Sequence, residues 1–510
     1  MPKSAEVIVI GSGIGGLCCA ALTARAGKEV LVLEAHSQPG GAAHGFERNG
    51  YHFESGPSLW SGLSRWPSRN PLAQILRALD QPLDVFTYTD WDVVFPEGSL
   101  RIGVGGDGFE RAVEVMRGPE VVAEWNRFTR VLRPIAAAAD AVPLLALPAT
   151  VDGIGPLLRR SGRLIQHLPA VRHLSDAFGS LVDRHLQDPF LRNWVDLLCF
   201  LISGMPMADT NAAAMATLFG EWFEPESCLD YPRGGSAAVV NALVSGLQAH
   251  GGGLRLGTRV REVLLDGDRA VGVELSNGEQ LHADVVVSNA DAWSAADLLP
   301  QTAATSWIQD RRLTPACDSF LHLHLGFESS GLRDLPIHTV WVGDWDRGIN
   351  AERNAVVVSI PSVLDRSMAP AGHHVLHAYT PANEPWSYWA NLKRGTGDYQ
   401  EQRSQRCQVF WDVLEQRIPD LRNRCHVVME GTPLTHRHYL STHKGSYGPA
   451  LSAAKGLFPG VMTPIEGFLL CGASCFPGIG IPPVAASGAM ASHAITGRRA
   501  QRELLSALNL

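Results

Sequence analysis

The sequence is poor in charged residues, has no basic excess and contains no long apolar helical run. Asp, Glu, Lys and Arg make up 18% of its 510 residues, and the net charge is −8. Nucleic-acid binding is therefore not expected, since it requires basic side chains that neutralise phosphates. The longest charge-free apolar stretch in the predicted helical part, 197–207, has eleven residues, which is too short for a membrane-spanning helix. No apolar signal core precedes the first predicted strand, which favours a cytoplasmic protein.

Cysteine pairs of the kind that bind zinc or exchange disulfides are also missing. None of the nine cysteines stands in a C-x-x-C pair, so the sequence predicts neither a zinc ribbon nor a thioredoxin-like redox site. Cys18 with Cys19, and Cys471 with Cys475, are interpreted as small buried side chains. No metal site is predicted, and the sequence has neither a fixed-period repeat nor a low-complexity tract.

Glycine, in contrast, is abundant, with 51 residues, and its first cluster follows the short apolar run Val7–Ile10. This run is typical of a parallel strand buried on both faces. A helical stretch, a second strand ending at Leu33 and the acidic Glu34 follow. In this order, glycines let the backbone approach a pyrophosphate at the helix N-terminus, and the acid accepts hydrogen bonds from a ribose. The predicted dinucleotide contacts here are Gly11, Ser12, Gly13, Ile14, Gly15, Gly16, Glu34 and Ala35.

A glycine pair, a hairpin and a Gly-Pro turn come next. Asn49-Gly50, between short runs with aromatic residues, predicts a type I′ hairpin turn. Gly40 and Gly41 precede this hairpin, and Gly56, Pro57 and Ser58 follow it. The order of acid, Gly-Gly, hairpin and acid-x-Gly-Pro resembles the flavoprotein superfamily of amine oxidases and phytoene desaturases. The resemblance implies FAD rather than NAD, with the Gly-Gly pair near the pyrophosphate and residues 56–58 near the flavin ring.

A second strand, glycine loop and helix lie near the C-terminus. The apolar run Phe468–Cys471 precedes a loop rich in glycine and proline, which could present backbone N–H groups to an anion or a flavin oxygen. The loop resembles the C-terminal flavin motif of the same superfamily. Ala473 stands in place of a common aspartate, so a ribityl contact would come from the backbone. The resemblance implies cofactor contacts at Gly472, Ala473, Ser474, Gly480, Ile481 and Pro482.

A third segment of this kind lies in the middle of the chain, where an apolar helix after Tyr231–Ser236 leads into alternating strands. By the resemblance this segment closes the FAD domain, with a backbone contact near Val260 to the adenine. We therefore expect an α/β fold. A discontinuous Rossmann-type FAD-binding domain would comprise 1–75, 228–300 and 455–510, with an inserted α+β substrate domain.

Two insertions separate the three segments. Residues 76–227 predict mainly amphipathic helices with apolar faces turned inward. Within them, 157–168 pairs leucines with arginines, so this stretch could also lie on an anionic membrane surface. Residues 301–454 contain strand-like runs at 320–325, 356–360 and 375–378. They favour a sheet that helices cover to form a cavity.

The second insertion narrows the resemblance to one branch. Asp344–Arg347, Ser359–Leu364, Gly431–His436 and Gly445–Pro449 resemble carotenoid isomerases and their isomerase-like relatives, and the likeness extends over nearly the whole chain. It implies a hydrophobic polyene substrate and peripheral contact with a membrane. The implied reaction is FAD-dependent carotenoid cis–trans isomerisation with reduced flavin and no net redox change. Desaturation of a carotenoid, or saturation of a polyene, by hydride transfer is the sibling reaction.

Catalytic residues are not evident, and no nucleophilic triad stands out. The polar candidates near the expected substrate tunnel are His436, His438 and Tyr447, although packing or surface exposure explains each of them as well; Glu384 and Asp344 are weaker candidates. Amine oxidases of this fold typically use a lysine near the flavin, and this chain has no lysine between 29 and 392. An amine oxidase-like enzyme and a non-catalytic flavin-containing pigment carrier remain alternatives.

Overall fold

A computed structural model describes residues 4–56, 58–105, 107–149, 167–224, 226–300, 303 and 306–510. The strands are β1 Ser4–Ile10, β2 Val30–Leu33, β3 Gly45–Arg48, β4 Tyr51–Glu54, β5 Trp60–Ser61, β6 Val85–Tyr88, β7 Asp90–Phe95, β8 Gly98–Gly103, β9 Leu229–Pro232, β10 Gly253–Arg255, β11 Val260–Asp266, β12 Arg269–Leu275, β13 Gln280–Ser288, β14 His322–Glu328, β15 His338–Val342, β16 Ala355–Ser359, β17 His373–Tyr379, β18 Cys425–Gly431 and β19 Phe468–Leu470. The α-helices are α1 Ile14–Arg25, α2 Pro71–Ala78, α3 Gly108–Arg117, α4 Pro119–Asp140, α5 Leu168–Val171, α6 Phe178–His185, α7 Pro189–Ser203, α8 Ala212–Trp222, α9 Ser236–Ala249, α10 Ala292–Asp297, α11 Ser306–Arg312, α12 Gly397–Arg417, α13 Leu421–Arg424, α14 Pro433–Leu440 and α15 Ile481–Ala507.

The first sheet has the strand order β10-β2-β1-β13-β12-β11, and β19 pairs with the end of β13. Strands β10, β2, β1, β13 and β19 are parallel, and β12 and β11 complete the sheet in antiparallel pairs. Segments that are far apart in sequence thus form one Rossmann-type sheet, because apolar runs such as Val7–Ile10 are buried on both faces. The predicted α/β fold class is confirmed.

Helices α1 and α15 pack directly against each other beside this sheet. A Cβ at Gly488 of α15 would overlap the carbonyl oxygen of Gly15 and contact Cys18 and Cys19 at 3.0 Å. Cys18, Cys19, Cys471 and Cys475 are buried free thiols, as predicted from their residue type. Small residues on both helices allow this close approach, which places the first turn of α1 beside Gly488, about two turns into α15.

The predicted type I′ hairpin is present between β3 and β4. Asn49 and Gly50 have φ of 54° and 78°, and the paired strands run from Gly45 opposite Glu54 to Arg48 opposite Tyr51. The hairpin brings the end of β4 back beside the residues that follow Gly41, where Ser55 N donates to His44 O at 3.2 Å.

The second sheet has the order β18-β14-β17-β16-β15-β7-β8. Strands β7 and β8 come from the stretch 76–227, so the prediction of a mainly helical insertion is wrong for residues 85–103. The reason is the burial of Trp91, Val93 and Phe95, which alternate with the less buried Asp90, Asp92 and Val94 at the period of a strand. Helices α3 to α8 follow as expected, and their aromatic side chains form a separate apolar cluster.

The two faces of strand β14 serve different purposes. Leu323 and Leu325 pack with Phe410 and Trp411 of helix α12, whereas His322 and His324 face the hairpin side. The alternation follows from the opposite directions of successive strand side chains. One face of this sheet is therefore closed by a helix, and the other is directed at the first domain.

No helix in the described part of the chain is both long and apolar enough to cross a membrane. The arginine-containing stretch 157–168, considered above as a membrane-surface element, lies outside the described residues at positions 157–166.

Glu384 has a structural role and does not belong to the site described below. Its side chain is fully buried, accepts from Trp389 Nε1 at 2.7 Å and forms a two-pronged ion pair with Arg406, whose Nη2 lies 2.9 Å from Oε2. A buried pair of this kind is costly to break, because the remaining charge is left unpaired in a poor solvent for ions.

We expect Glu384→Ala to lower the free energy of unfolding by about 3–5 kcal/mol, because it leaves the guanidinium of Arg406 buried without its main partner. Chemical denaturation measures the effect. Glu415→Ala is the matched control, since it removes an ion pair to Arg422 on a more exposed surface, where a loss below about 1 kcal/mol is expected. Equal effects of the two substitutions would contradict this assignment.

Candidate functional site

The first glycine loop joins β1 to helix α1 and leaves the start of this helix open. Gly13 is the N-cap residue, no side chain caps the helix, and the first turn has no acidic residue. Ile14, Gly15 and Gly16 form that first turn, and Gly11 has a φ of +92° that favours glycine. Uncapped N–H groups at a helix N-terminus fit a bound anion such as a pyrophosphate.

The Gly-Gly pair packs against this loop. Gly40 N donates to Ser12 O at 3.0 Å, and a Cβ on Gly41 would lie 3.1 Å from the Cα of Gly13. Two loops that are separate in sequence thus meet backbone to backbone, and side chains at these positions would close the groove between them.

Glu34 lies at the end of β2 with its carboxylate directed toward the first loop. Its Oε2 accepts from Ser12 N at 2.8 Å and Ser12 Oγ at 2.6 Å, and its Oε1 accepts from His36 N at 2.7 Å. The next residue, Ala35, is half-buried. Thr258 N donates to Glu34 O at 2.7 Å, which brings the start of β11, and with it the buried Val260, next to this strand end.

The C-terminal glycine loop lies beside the first one. A Cβ on Gly15 would be 3.0 Å from Gly472 N, which itself donates to Ser487 Oγ at 2.8 Å. Ser474 Oγ accepts from Ala292 N at 2.9 Å, so its hydroxyl supports the start of helix α10, and the neighbouring Ala473 contributes no polar side-chain atom. Gly480, with a φ of +104°, is the N-cap residue of α15, which begins with Ile481 and Pro482 and also lacks a side-chain cap.

The turn after β4 connects the glycine loops with the second sheet. A Cβ on Gly56 would overlap the carbonyl oxygen of Ala42, so only glycine fits there. Ser58 Oγ accepts from Ser359 Oγ at 2.7 Å, and Ser359 Oγ is 2.9 Å from His338 Nδ1. Pro57 lies outside the described residues. The predicted flavin-ring segment therefore faces the polar side of β15 and β16.

Glu54 is a buried residue of the candidate site that the sequence indicated only as part of a motif. Its buried carboxylate accepts from Tyr231 OH at 2.9 Å and from Ser236 N at 2.8 Å, at the start of helix α9. Burial raises its pKa to about 7, against the lowering effect of these hydrogen bonds. Its backbone oxygen lies 3.0 Å from His324 Nε2, which ties the turn to the second sheet.

A cluster of four histidines continues from this contact. His324 and His377 are register partners on β14 and β17, and their rings stack at 4.4 Å between centroids. His322 Nδ1 is 2.8 Å from His377 Nε2, and His322 Nε2 contacts His436 Nε2. Each contact requires one ring to donate and the other to accept. We call these four residues the histidine cluster.

Burial keeps the histidine cluster neutral. It lowers the pKa of His324 and His436 to about 4, and the pKa of His322 and His377 falls well below the usual 6.5 for the same reason, with mutual repulsion as a second cause. His377 Nδ1 is buried and has no hydrogen-bond partner among the described residues. A neutral ring with an unpaired nitrogen suits a wall that faces a bound molecule.

Two of the three polar candidates predicted from the sequence, His436 and Tyr447, lie at the far end of this cluster. His436 stacks on Phe320 at 5.0 Å, and Phe320 stacks on Tyr447 at 5.2 Å. Tyr447 OH donates to Leu201 O of helix α7 at 3.2 Å, and burial raises the pKa of Tyr447 above its usual range. His438 is exposed and packs on Tyr439, outside the cluster. The structure thus brings His436 and Tyr447 together and leaves His438 apart.

The nitrogens of His322, His324 and His377 lie within 4.8 Å of one another, which raises the question of a metal ion. Their ring planes are within 11° of parallel. His322 Nδ1 and His377 Nε2 are 2.8 Å apart, whereas two nitrogens that each lie about 2.0–2.1 Å from a tetrahedral ion are separated by about 3.3 Å. This arrangement favours hydrogen bonding over metal binding, and the absence of a metal site stays a prediction.

Sequence reasoning noted the strand-like run 320–325 and missed its histidines. The available signal was the alternation of Leu321, Leu323 and Leu325 with His322 and His324. This pattern predicts a strand with leucines on one face and imidazoles on the other. The partner His377, which lies in the predicted run 375–378, could be connected with them only through the sheet register.

The neutral state of the histidine cluster predicts that the folded protein loses stability as the pH falls. Between the lowered pKa values and about 6.5, these histidines bind more protons in the unfolded chain than in the folded chain. Their contribution to the free energy of unfolding is therefore fully present above about pH 6.5 and is lost as the pH falls toward 4. Glu54, whose pKa is raised, titrates in the opposite sense, so the histidine contribution is measured as the difference between a histidine variant and the wild type. We expect His324→Phe to reduce the loss of unfolding free energy over this range by up to about 3 kcal/mol.

Thermal or chemical unfolding at several pH values measures this effect. His250→Gln is the control, because His250 is exposed at the end of helix α9 and should leave the wild-type slope in place. A His324→Phe slope equal to that of wild type would contradict the assignment of a neutral His324.

Comparison with known proteins agrees with this architecture. The sequence pattern of the family described as flavin-containing amine oxidoreductases matches residues 14–496. Prolycopene isomerase 1, chloroplastic, of an Oncidium hybrid cultivar is 31% identical, over 96% of this chain and 83% of that protein. The lycopene-forming phytoene desaturase of a Paracoccus strain is 27% identical, over 95% of this chain and 96% of that protein.

Solved structures show the same fold at low sequence identity. An oxidoreductase from Methanosarcina mazei superimposes with a TM-score of 0.64 and 16% identity, covering 94% of this chain and 98% of that chain. The family match spans most of the sequence, and the resemblance noted from the motifs is confirmed. The chain belongs to the family of flavin-containing amine oxidoreductases and is a flavin-dependent enzyme of its carotenoid isomerase and phytoene desaturase branch.

Proposed function

We propose that this protein is an FAD-dependent carotenoid cis–trans isomerase that acts with reduced flavin and without net redox change. The observation that carries the proposal is the neutral, ring-lined wall opposite the cofactor loops: the histidine cluster together with Phe320, Tyr379 and Tyr447. Such a wall suits an uncharged, extended, conjugated substrate and offers no ion pair to a charged one. The similarity to prolycopene isomerases over nearly the whole chain supports the same substrate class.

The residues that would hold FAD are those of the three loops. The open start of α1 and the Gly40–Gly41 contact fit the pyrophosphate, and Glu34 fits a ribose hydroxyl. The start of β11 near Val260 would lie at the adenine. The C-terminal loop from Gly472 to Pro482 and the turn at Gly56 and Ser58 would adjoin the ribityl chain and the flavin ring.

When bound, reduced FAD supplies electron density that can weaken a conjugated double bond. The chain's own residues bind and orient the polyene, exclude water and keep the wall free of charge. Because His322 and His377 are neutral, they present ring edges without a strongly hydrated ion. The rings that run from the histidine cluster through Phe320 to Tyr447 would lie along a long chain held in an extended form.

Two other reactions and one non-catalytic role compete with isomerisation. Desaturation, or saturation, of a polyene by hydride transfer uses the same loops and the same wall, and the similarity to a phytoene desaturase favours it as the second candidate. An amine oxidase-like reaction is disfavoured, since Lys393, Lys444 and Lys455 are exposed and Lys28 pairs with Glu6 on the surface. A pigment carrier would share the binding site without turnover. Peripheral contact with a membrane, from which such a substrate would come, is part of the proposal.

The reaction is tested by anaerobic incubation of the purified protein with cis-lycopene isomers and with phytoene, in the presence of oxidised or reduced FAD. We expect geometric isomers to form only with reduced flavin, because isomerisation needs electron density from the cofactor and no acceptor. Separation of the products and their absorption spectra measure the outcome.

The other results distinguish the alternatives. A longer chromophore with oxidised flavin would replace the proposal with desaturation, and a shorter one with reduced flavin would replace it with saturation. Binding of the polyene without any product would favour the carrier. Protein inactivated by heat controls for isomerisation by light or free flavin.

We expect Glu34→Ala to weaken FAD binding by about tenfold or more, because a charge-assisted hydrogen bond of about 1.5–3 kcal/mol to the ribose is lost. Titration of the flavin-depleted chain with FAD measures the affinity. Glu29→Ala, an exposed acid at the other end of β2, is the matched control and should bind as wild type does. Unchanged affinity of Glu34→Ala would contradict the ribose role.

A further inference from the structure

Asn289 follows β13 directly and lies between the first and the C-terminal glycine loops. Its backbone N–H donates to Ile10 O at 2.9 Å, at the end of β1, and its Oδ1 is 3.6 Å from Cys471 Sγ, just after β19. Because β13 pairs in parallel with both of these strands, its end lies at the sheet edge where both loops begin. Asn289 is not among the cofactor contacts that the sequence predicted.

The side chain of Asn289 occupies the space that three glycines leave open. A Cβ on Gly13 would lie 2.6 Å from its Nδ2, and Cβ atoms on Gly15 and Gly472 would each lie 2.8 Å from its Oδ1. Such distances are shorter than nonbonded contacts allow, so side chains at these positions would displace the amide. The glycines of both loops therefore make room for Asn289 as well as for a ligand.

We propose that Asn289 is a positioning residue that sets the spacing of the two glycine loops around the phosphates of the cofactor, an inference that rests on the cofactor placement proposed above. Asn289 is half-buried, and its amide lies between Gly13 and Gly15 on one side and Gly472 of the C-terminal loop on the other. It lies against the N-cap residue Gly13 and against Gly15 in the first turn of α1, where the uncapped N–H groups of the helix lie. Loss of the Asn289 side chain would let the two glycine loops approach each other and would misalign these N–H donors.

A double-mutant cycle with Gly13 tests the packing. Gly13 has a φ of −63°, which alanine also adopts, and the atoms that a Cβ there would meet all belong to Asn289. We expect Gly13→Ala to lower the unfolding temperature of the full-length chain when Asn289 is present and to have little effect in the Asn289→Ala background. Equal losses in the two backgrounds would overturn the inference, since they would show no coupling.

FAD titration of flavin-depleted protein tests the role toward the cofactor. We expect Asn289→Ala to weaken FAD binding about tenfold, and Asn277→Ala, in the exposed turn between β12 and β13, to bind as wild type does. Asn289→Asp preserves the shape of the side chain and its packing between the loops, but it places a negative charge beside the phosphates. It should therefore retain the unfolding temperature and bind FAD more weakly than Asn289→Ala at low salt, with partial recovery at high salt.

A purely structural role would leave the aspartate variant with wild-type affinity at all salt concentrations, and this result, like unchanged affinity of Asn289→Ala, would overturn the inference. Failure of the cofactor placement itself has a different signature. In that case Glu34→Ala retains FAD, while the unfolding temperatures still report whether Asn289 and Gly13 are coupled.

Discussion

The carboxylate of Glu54 lies where the hairpin, helix α9 and the second sheet meet, and the candidate site depends on that contact. It satisfies the first free N–H of α9 at Ser236 and holds the hydroxyl of Tyr231. The carbonyl of the same residue bonds His324. One residue thus fixes the distance between the turn at Gly56 and the histidine-bearing face of β14, and burial makes the arrangement sensitive to its protonation, since the pKa is raised to about 7.

The two sides of the site contribute different kinds of chemistry. The first sheet contributes backbone: the uncapped start of α1, loops of glycine and a carboxylate at the end of β2, all suited to phosphates and a ribose. The second sheet contributes side chains, and these are neutral rings. This division explains how one fold serves many substrates, because the cofactor loops need not change when the facing wall does.

Neutrality of the wall is a consequence of packing rather than of residue type alone. Histidine is charged or neutral near physiological pH according to its surroundings. Here four imidazoles share one buried space, so desolvation and mutual repulsion both disfavour the protonated form. Neutral His322 has one donor and one acceptor nitrogen, and its hydrogen bonds with His377 and His436 then orient the rings without a counter-ion.

Local sequence was sufficient for the elements whose signals are local. The apolar run before Gly11, the acid after Leu33 and the Asn49-Gly50 turn each depend on a few adjacent residues, and the strands, the first helix and the hairpin are present where these patterns predict them. The strands at 85–103 were not predicted, because the sequence around them has the pattern of helices. The alternating burial along β7 was the signal that could have identified one of them.

What the sequence by itself determined is the order of strand, loop and helix, and with it the flavoprotein class of the fold. Only the tertiary structure decided which residues face each other: Glu54 meets Ser236 across 182 positions, and His322 meets His436 across 114. The physical reason is that backbone conformation and hydrophobic period are local properties, whereas a buried polar contact exists only after sheets have set their register and packed together.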